Sequence, residues 1–289
     1  MMAAIAVVAV GATGAFFSDT ETSTGNTFTA GAIDLGIDNT SYYNGVANAG
    51  TSWELDYDID SNNGDGDVPR QFFNFSDLKP GDYGEDTISI HVNNNESWMC
   101  ADVTLTSNDD ATCNEPENDV EGVNCALGSE PDLDNTDGDL AQNINFLWWA
   151  DDGDNVLEDN EQTISPSGTL GDLGVGNTAT VDLADASNYI WGSLQGPLGG
   201  LLTDNENEIV YIAKAWCFGD INAAPVPNPA VFGPDGNNAG TSASGEPEDG
   251  GFHCSGASDL NNASQTDSAT MNISFRAEQS RNNPDFQCN

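Results

Sequence analysis

Apolar residues in this chain come in short runs, many alternating with polar ones, and no long stretch carries them at helical spacing. A period of two is the mark of a strand with one buried face. It is clearest near the C-terminus, where Met271, Ile273 and Phe275 face one way and Asn272, Ser274 and Arg276 the other. Read this way, strands cover Phe28–Ile37, Ser52–Ile59, Thr87–Val92, Trp98–Thr106, Ile144–Ala150, Thr178–Leu183, Glu208–Phe218 and Ala269–Ala277. Ala184–Leu202 is the best helical candidate, but its glycines and Pro197 break it up. Many short strands joined by Gly-, Asn- and Asp-rich links predict an all-β fold, a jelly-roll β-sandwich. Polar insertions are expected at Asn39–Gly50, Asp60–Pro69, Asn108–Gln142 and Ala223–Gly251. The last is rich in Pro, Gly, Asn and Ala and reads as an exposed loop or arm.

The N-terminus departs from this pattern. Ala3–Val10 is apolar, Gly11, Ala12, Gly14 and Ala15 are small, and a polar segment opens at Phe16 and Phe17. This reads as a secretory signal cut near Ala15 by signal peptidase during export. No Lys or Arg precedes the apolar run. The expected organisation is a signal peptide over 1–15, an N-terminal arm and first strand over 16–38, and one domain over 39–289 with insertions at about 108–142 and 223–251. No internal apolar stretch approaches the roughly 20 residues that span a bilayer.

Charge narrows the partners. Only Lys79, Lys214, Arg70, Arg276 and Arg281 oppose 48 acidic groups, for a formal charge of -43. Such a field repels nucleic acid and anionic lipid, which excludes nucleic-acid binding. High external salt or bound divalent cations make it tolerable. The sharpest local signal is the stretch 150–161, in which Asp152, Asp154 and Glu161 have nearly the spacing of a calcium loop. Val156 can offer its carbonyl there, with Asp151 and Glu158 as further oxygen donors. Val156 and Leu157 replace the usual Asp/Asn-Gly turn, and the loop follows a strand rather than a helix. Two weaker acidic clusters are Asp56, Asp58, Asp60, Asp65 and Asp67, and Asp132, Asp134, Asp137 and Asp139; each reads as a solvated loop.

Six cysteines, Cys100, Cys113, Cys125, Cys217, Cys254 and Cys288, read as disulfides in an exported chain. Cys113 and Cys125 bracket an acidic loop that they could close locally, while the other four admit several pairings. Asn39, Asn74, Asn95, Asn262 and Asn272 each begin an Asn-x-Ser/Thr sequon and are candidate glycosylation sites. Catalysis finds little support, and no small-molecule substrate is expected. His91 and His253 are the only histidines, and His-Glu-x-x-His, Gly-x-Ser-x-Gly and phosphate-binding glycine loops are absent. His91 reads as a structural strand residue and His253 as a loop residue beside a disulfide.

Several segments together resemble the TasA/camelysin proteins, which carry a SipW-type signal peptide. The stretch 17–31, followed by Ile33-Asp34-Leu35, is similar to their start, and Phe75-Ser-Asp-Leu-Lys-Pro-Gly-Asp82 to a turn that follows. The segments 148–161, 213–219 and 279–288 fit a secreted subgroup. The resemblance covers the framework strands, and the insertions have no counterpart in short members. It implies a jelly-roll subunit of extracellular fibres, in which the N-terminal segment of one subunit adds as a strand to the next. Here Phe16, Phe17, Thr27, Phe28 and Ala30 would supply the donor's contacts. The expected partners are identical subunits in a helical filament, since a head-to-tail contact cannot close on itself. Two alternatives are a monomeric calcium-binding surface adhesin and a camelysin-like metalloprotease, the latter lacking a recognisable zinc motif here.

Overall fold

The structure is a computed structural model; it describes residues 33–56, 70–93, 95–110, 114, 117, 138–191, 198, 208–227, 250–256, 262–281 and 283–288. The chain divides into two units, 1–31 and 32–289, and every described residue lies in the second. The expected signal peptide, and Phe16, Phe17, Thr27, Phe28 and Ala30, lie outside the described residues.

The described residues form twelve strands. They are β1 (Asp34–Tyr43), β2 (Val46–Ala47), β3 (Trp53–Asp56), β4 (Tyr83–Asn93), β5 (Ser97–Asp109), β6 (Ile144–Asp151), β7 (Thr163–Thr169), β8 (Thr178–Ala184), β9 (Glu208–Phe218), β10 (Asp220–Ala223), β11 (Phe252–Ser255) and β12 (Ser268–Gln279). One helical turn, α1 (Leu140–Asn143), precedes β6. A seven-stranded sheet runs β2-β1-β4-β9-β6-β7, with β3 also on β1; a second sheet runs β12-β5-β8, and β10 and β11 form a hairpin. All strand pairs are antiparallel.

The two main sheets face each other across one core. Ile88, Ile90 and Val92 of β4 and Ile212 and Trp216 of β9 meet Met99, Val103 and Leu105 of β5 and Val181 and Leu183 of β8. Burying each such side chain contributes about 1.5–3 kcal/mol, so this interior sets the register of both sheets. A smaller core covers the outer face of the larger sheet. There Leu147, Trp149, Ala213 and Ala215 pack with Leu157 and with Phe252 of β11. The fold is therefore an all-β sandwich of antiparallel sheets with an outer layer on one side.

The sequence pattern located β5, β6, β8, β9 and β12 to within a few residues. It missed the second half of β1, placing Asn39–Gly50 in an insertion. Residues 39–43 continue the strand because Asn39 and Ser41 face inward and are satisfied by hydrogen bonds rather than by apolar contact. It also missed β7, where Pro166 and Gly168 break the pattern. Pro lacks an N–H and is tolerated in an edge strand, and among the described residues β7 ends its sheet. The described part of Ala184–Leu202 is not helical. Asp185 Oδ1 accepts the N–H groups of Ser187 and Asn188, and Ile190 returns its N–H to the Leu183 carbonyl, which makes a tight reversal.

Candidate functional site

Two features stand out, an open sheet margin and an acidic loop. Among the described residues β12 pairs with β5 alone, over Ser268–Gln279, so its other side ends the three-stranded sheet. Met271, Ile273 and Phe275 face the core yet stay half-buried. Beside them the segment 70–80 runs without strand structure and closes the other wall of a groove. Phe72, Phe73, Phe75, Leu78, Met271 and Ile273 give that groove its apolar lining. Its aromatics are mutually fixed: Phe75 stacks on Tyr43 at 5.0 Å and lies tilted against Trp216 at 4.9 Å, and Phe72 meets Phe275 edge-on at 6.3 Å.

The turn at the end of this segment holds it to β1. Asp82 Oδ2 accepts from the Lys79 N–H at 2.8 Å and from the Tyr43 hydroxyl at 2.7 Å, and its Oδ1 accepts from Asn44 Nδ2 at 3.0 Å. Burial and the Asp82 carboxylate push the Tyr43 hydroxyl above its ordinary range. Gly81, at φ +90°, supplies the left-handed step that the turn needs.

The acidic loop follows β6. Asp151 Oδ2 accepts from the N–H groups of Gly153 at 3.0 Å and Asn155 at 3.2 Å, and Asp154 Oδ1 from Val156 at 3.0 Å. Glu161 spans the loop, taking the N–H of Asp152 on Oε1 and that of Glu158 on Oε2, both at 3.0 Å. Val156, Leu157 and Glu158 are buried and dock the loop on the sheet's outer face. A clasp holds them there: Leu157 N–H donates to Gly250 O at 3.0 Å, and Val226 N–H to Leu157 O at 3.0 Å. Asp151, Asp152 and Glu161 bring carboxylate oxygens within 4.8 Å of one another. Burial, reinforced by neighbouring carboxylates, pushes Asp151 up to about 7, Asp154 up to about 6 and Glu161 up to about 8. A hard cation relieves that repulsion, and oxygen donors at this density suit one. Of the donors read from the sequence, the fold gathers Asp151, Asp152 and Glu161, while Asp154 turns back onto the Val156 N–H.

A second acidic cluster was not legible in the sequence. Asp110, Glu117 and Asp267 also bring oxygens within 4.8 Å and could hold an ion, but Asp267 comes from a segment 150 residues beyond Glu117. Burial first, then repulsion from Asp110 and Glu117, pushes Asp267 up to about 7. The grouping of Asp182 and Asp185 with Cys288 offers no thiolate, because Cys288 is bonded to Cys100. Of the weaker sequence clusters, Asp56 ends β3 and Asp139 precedes α1, while Asp58, Asp60, Asp65, Asp67, Asp132, Asp134 and Asp137 lie outside the described residues.

Four cysteines pair as Cys100–Cys288 and Cys217–Cys254, with Cα–Cα distances of 5.7 and 5.6 Å. Cys113 and Cys125 lie outside the described residues. Two such bridges fit maturation in an oxidising, extracellular compartment. No helix among the described residues is long and apolar enough to cross a membrane. Among the sequons, Asn74, Asn262 and Asn272 are exposed and Asn95 is half-buried. Asn39 is a correction: it is 1% exposed, and its Nδ2 donates to Thr51 O and to Asp86, so it offers no nitrogen to a glycan. His91 lies in β4 with Nε2 3.0 Å from Asp38, and His253 lies in β11 beside the Cys217–Cys254 bridge. No family model matches this chain, and no curated protein matches it either.

Proposed function

We propose that the protein is a secreted structural subunit of an extracellular filament and polymerises head to tail by donor-strand complementation. The observation that carries this reading is the margin of β12, which borders an apolar groove and, among the described residues, ends its sheet. Unpaired strand backbone beside apolar pockets is a template for an added strand. The strand order supports the same reading. Sheets ordered β4-β9-β6-β7 and β12-β5-β8 are compatible with a jelly roll that, among the described residues, has no strand on the free side of β12. The first long strand, β1, would fill that place in a closed roll, but it pairs instead with β4 in the other sheet.

The proposed occupant is the segment Phe16–Ala30 of a second copy. Phe16, Phe17 and Phe28 supply apolar side chains, and the Ser, Thr and Gly between them suit an extended arm. A donor taken from each subunit by the next propagates without closing. At -43 per chain, stacked subunits repel one another, and calcium in the acidic loop and at subunit contacts lowers that cost. The acidic loop by itself favours a second reading, a monomeric calcium-binding adhesin.

Negative-stain microscopy of natively secreted protein separates the two. Filaments are expected from the full chain, and folded monomers from a chain lacking residues 16–27. Fibres from the shortened chain would refute the donor, and monomers from both would favour the adhesin. Thorough chelation at low salt is expected to loosen the filaments, and filaments unchanged by it would remove calcium from the account.

A further inference from the structure

The interior of the sandwich holds a buried ion pair that neither filament assembly nor the acidic loop uses. Lys214 of β9 stands directly opposite Asp86 of β4, and both side chains point into the core. They are 0% and 1% exposed, and Lys214 Nζ contacts Asp86 Oδ2. The neighbours on the same faces are Ile88 and Ile90 on β4 and Ile212 and Trp216 on β9. The Phe73 ring lies 3.6 Å from Nζ and the Phe72 ring 5.5 Å, which seals the pair from water. The other carboxylate oxygen, Oδ1, accepts from Asn39 Nδ2 at 3.1 Å, and the same nitrogen donates to Thr51 O at 2.7 Å. This chain has five basic residues against 48 acidic ones, yet one of its two lysines is kept from the surface. A buried ion pair is a poor source of stability, because desolvation offsets its attraction.

We infer that Lys214 and Asp86 condense to an intramolecular isopeptide bond that joins β9 covalently to β4. Burial lowers the Lys214 pKa against the opposing pull of Asp86, which favours the amine as nucleophile. The ammonium first passes a proton to the carboxylate, leaving a neutral amine beside a carboxylic acid. The Nζ lone pair then attacks Asp86 Cγ. Charge develops on Oδ1, where Asn39 Nδ2 already donates, in the manner of an oxyanion hole. The N–C bond forms, the C–Oδ2 bond breaks, and Oδ2 leaves as water with one proton from the amine and one from the acid. No oxidant or second reactant enters. Two groups held in contact react with effective molarities on the order of 10⁵–10⁸ M, and exclusion of water favours the amide over its hydrolysis. The link does not depend on the filament reading.

Mass spectrometry of the full secreted chain with its disulfides reduced tests this. The expected mass is that of the mature sequence less one water, and peptic digestion is expected to give one branched peptide joining Lys214 to Asp86. K214R keeps the charge but cannot form this bond, and its full calculated mass is expected. D86N is expected to expel ammonia in place of water and to reach the same mass as the linked wild type. A wild-type chain at its full calculated mass would overturn the inference, as would a branch at Asn39 formed with loss of ammonia. The wild-type measurement decides the matter even where a variant fails to fold.

Discussion

Asp151→Asn is expected to stabilise the protein at alkaline pH when divalent cations are removed. In the folded chain Asp151 is 4% exposed, and burial with nearby carboxylates moves its carboxyl from 3.8 up to about 7. The folded state therefore keeps a proton that the unfolded chain releases. Stability is fully present below about pH 4 and falls as pH rises toward 7. The shift of about three units, at about 1.36 kcal/mol each, sets a penalty of about 4 kcal/mol by pH 8. An Asn side-chain oxygen can still accept the Gly153 and Asn155 N–H groups, so the turn survives. Trp149 Nε1, which donates to Asp151 Oδ1 at 3.3 Å, loses its acceptor at a cost of about 1 kcal/mol. The net gain is about 3 kcal/mol, or roughly 6–12 °C in melting temperature for a chain of this size. Thermal unfolding followed by circular dichroism in chelator, at pH 5 and pH 8, measures it. The wild type is expected to melt lower at pH 8 than at pH 5, with calcium restoring the loss, and the variant to be flatter with pH and to respond weakly to calcium. A variant less stable than the wild type at pH 8 in chelator would refute the reasoning.

Other outcomes follow from single contacts. A Cβ on Gly251 would fall on the Leu157 carbonyl oxygen at a residue with φ +81°, so Gly251→Ala is expected to cost about 2–4 kcal/mol and lower the melting temperature. The Cys217→Ser/Cys254→Ser pair opens a bridge with a sequence separation of 37 residues, expected to cost about 4 kcal/mol on loop entropy; an unchanged guanidinium midpoint would contradict that. Ile273→Lys places a charge at a half-buried position that lines the apolar groove, so a folded monomer that no longer assembles is expected by light scattering. Glycopeptide mapping is expected to find Asn39 unmodified whatever the state of the exposed sequons.

Much of the framework was legible because burial on one or both faces leaves a record in composition. β9 reads as an apolar run interrupted by Lys214 and β12 as strict alternation, and both were located closely. The same logic hid β1 beyond Ile37, since Asn39 and Ser41 face inward and look like loop residues in one dimension. The acidic loop was found because all its donors lie within 150–161, whereas Asp267 is joined to Asp110 and Glu117 only by the fold. Lys214 read as one cation among five; its burial depends on facing Asp86 across a strand register that no local pattern encodes. The groove was equally hidden, because Phe72, Phe73 and Phe75 belong to a stretch without strand periodicity.

The Cys100–Cys288 bridge gives the margin of β12 a further property. Cys100 sits in β5, the strand that carries β12, and Cys288 lies beyond the end of β12. Between them, Ser280 donates its N–H to Glu96 O at 3.0 Å, Asn283 O accepts from Trp98 Nε1 at 2.8 Å, and the Cys288 N–H donates to Asp185 at 3.1 Å. The tail is thereby stitched down on the side of β5, so β12 cannot peel away when its far side is pulled. A strand laid along it, as the donor-strand proposal requires, would meet a stiff ruler with fixed graduations, on which a slip of one residue would turn every inserted side chain away from its pocket.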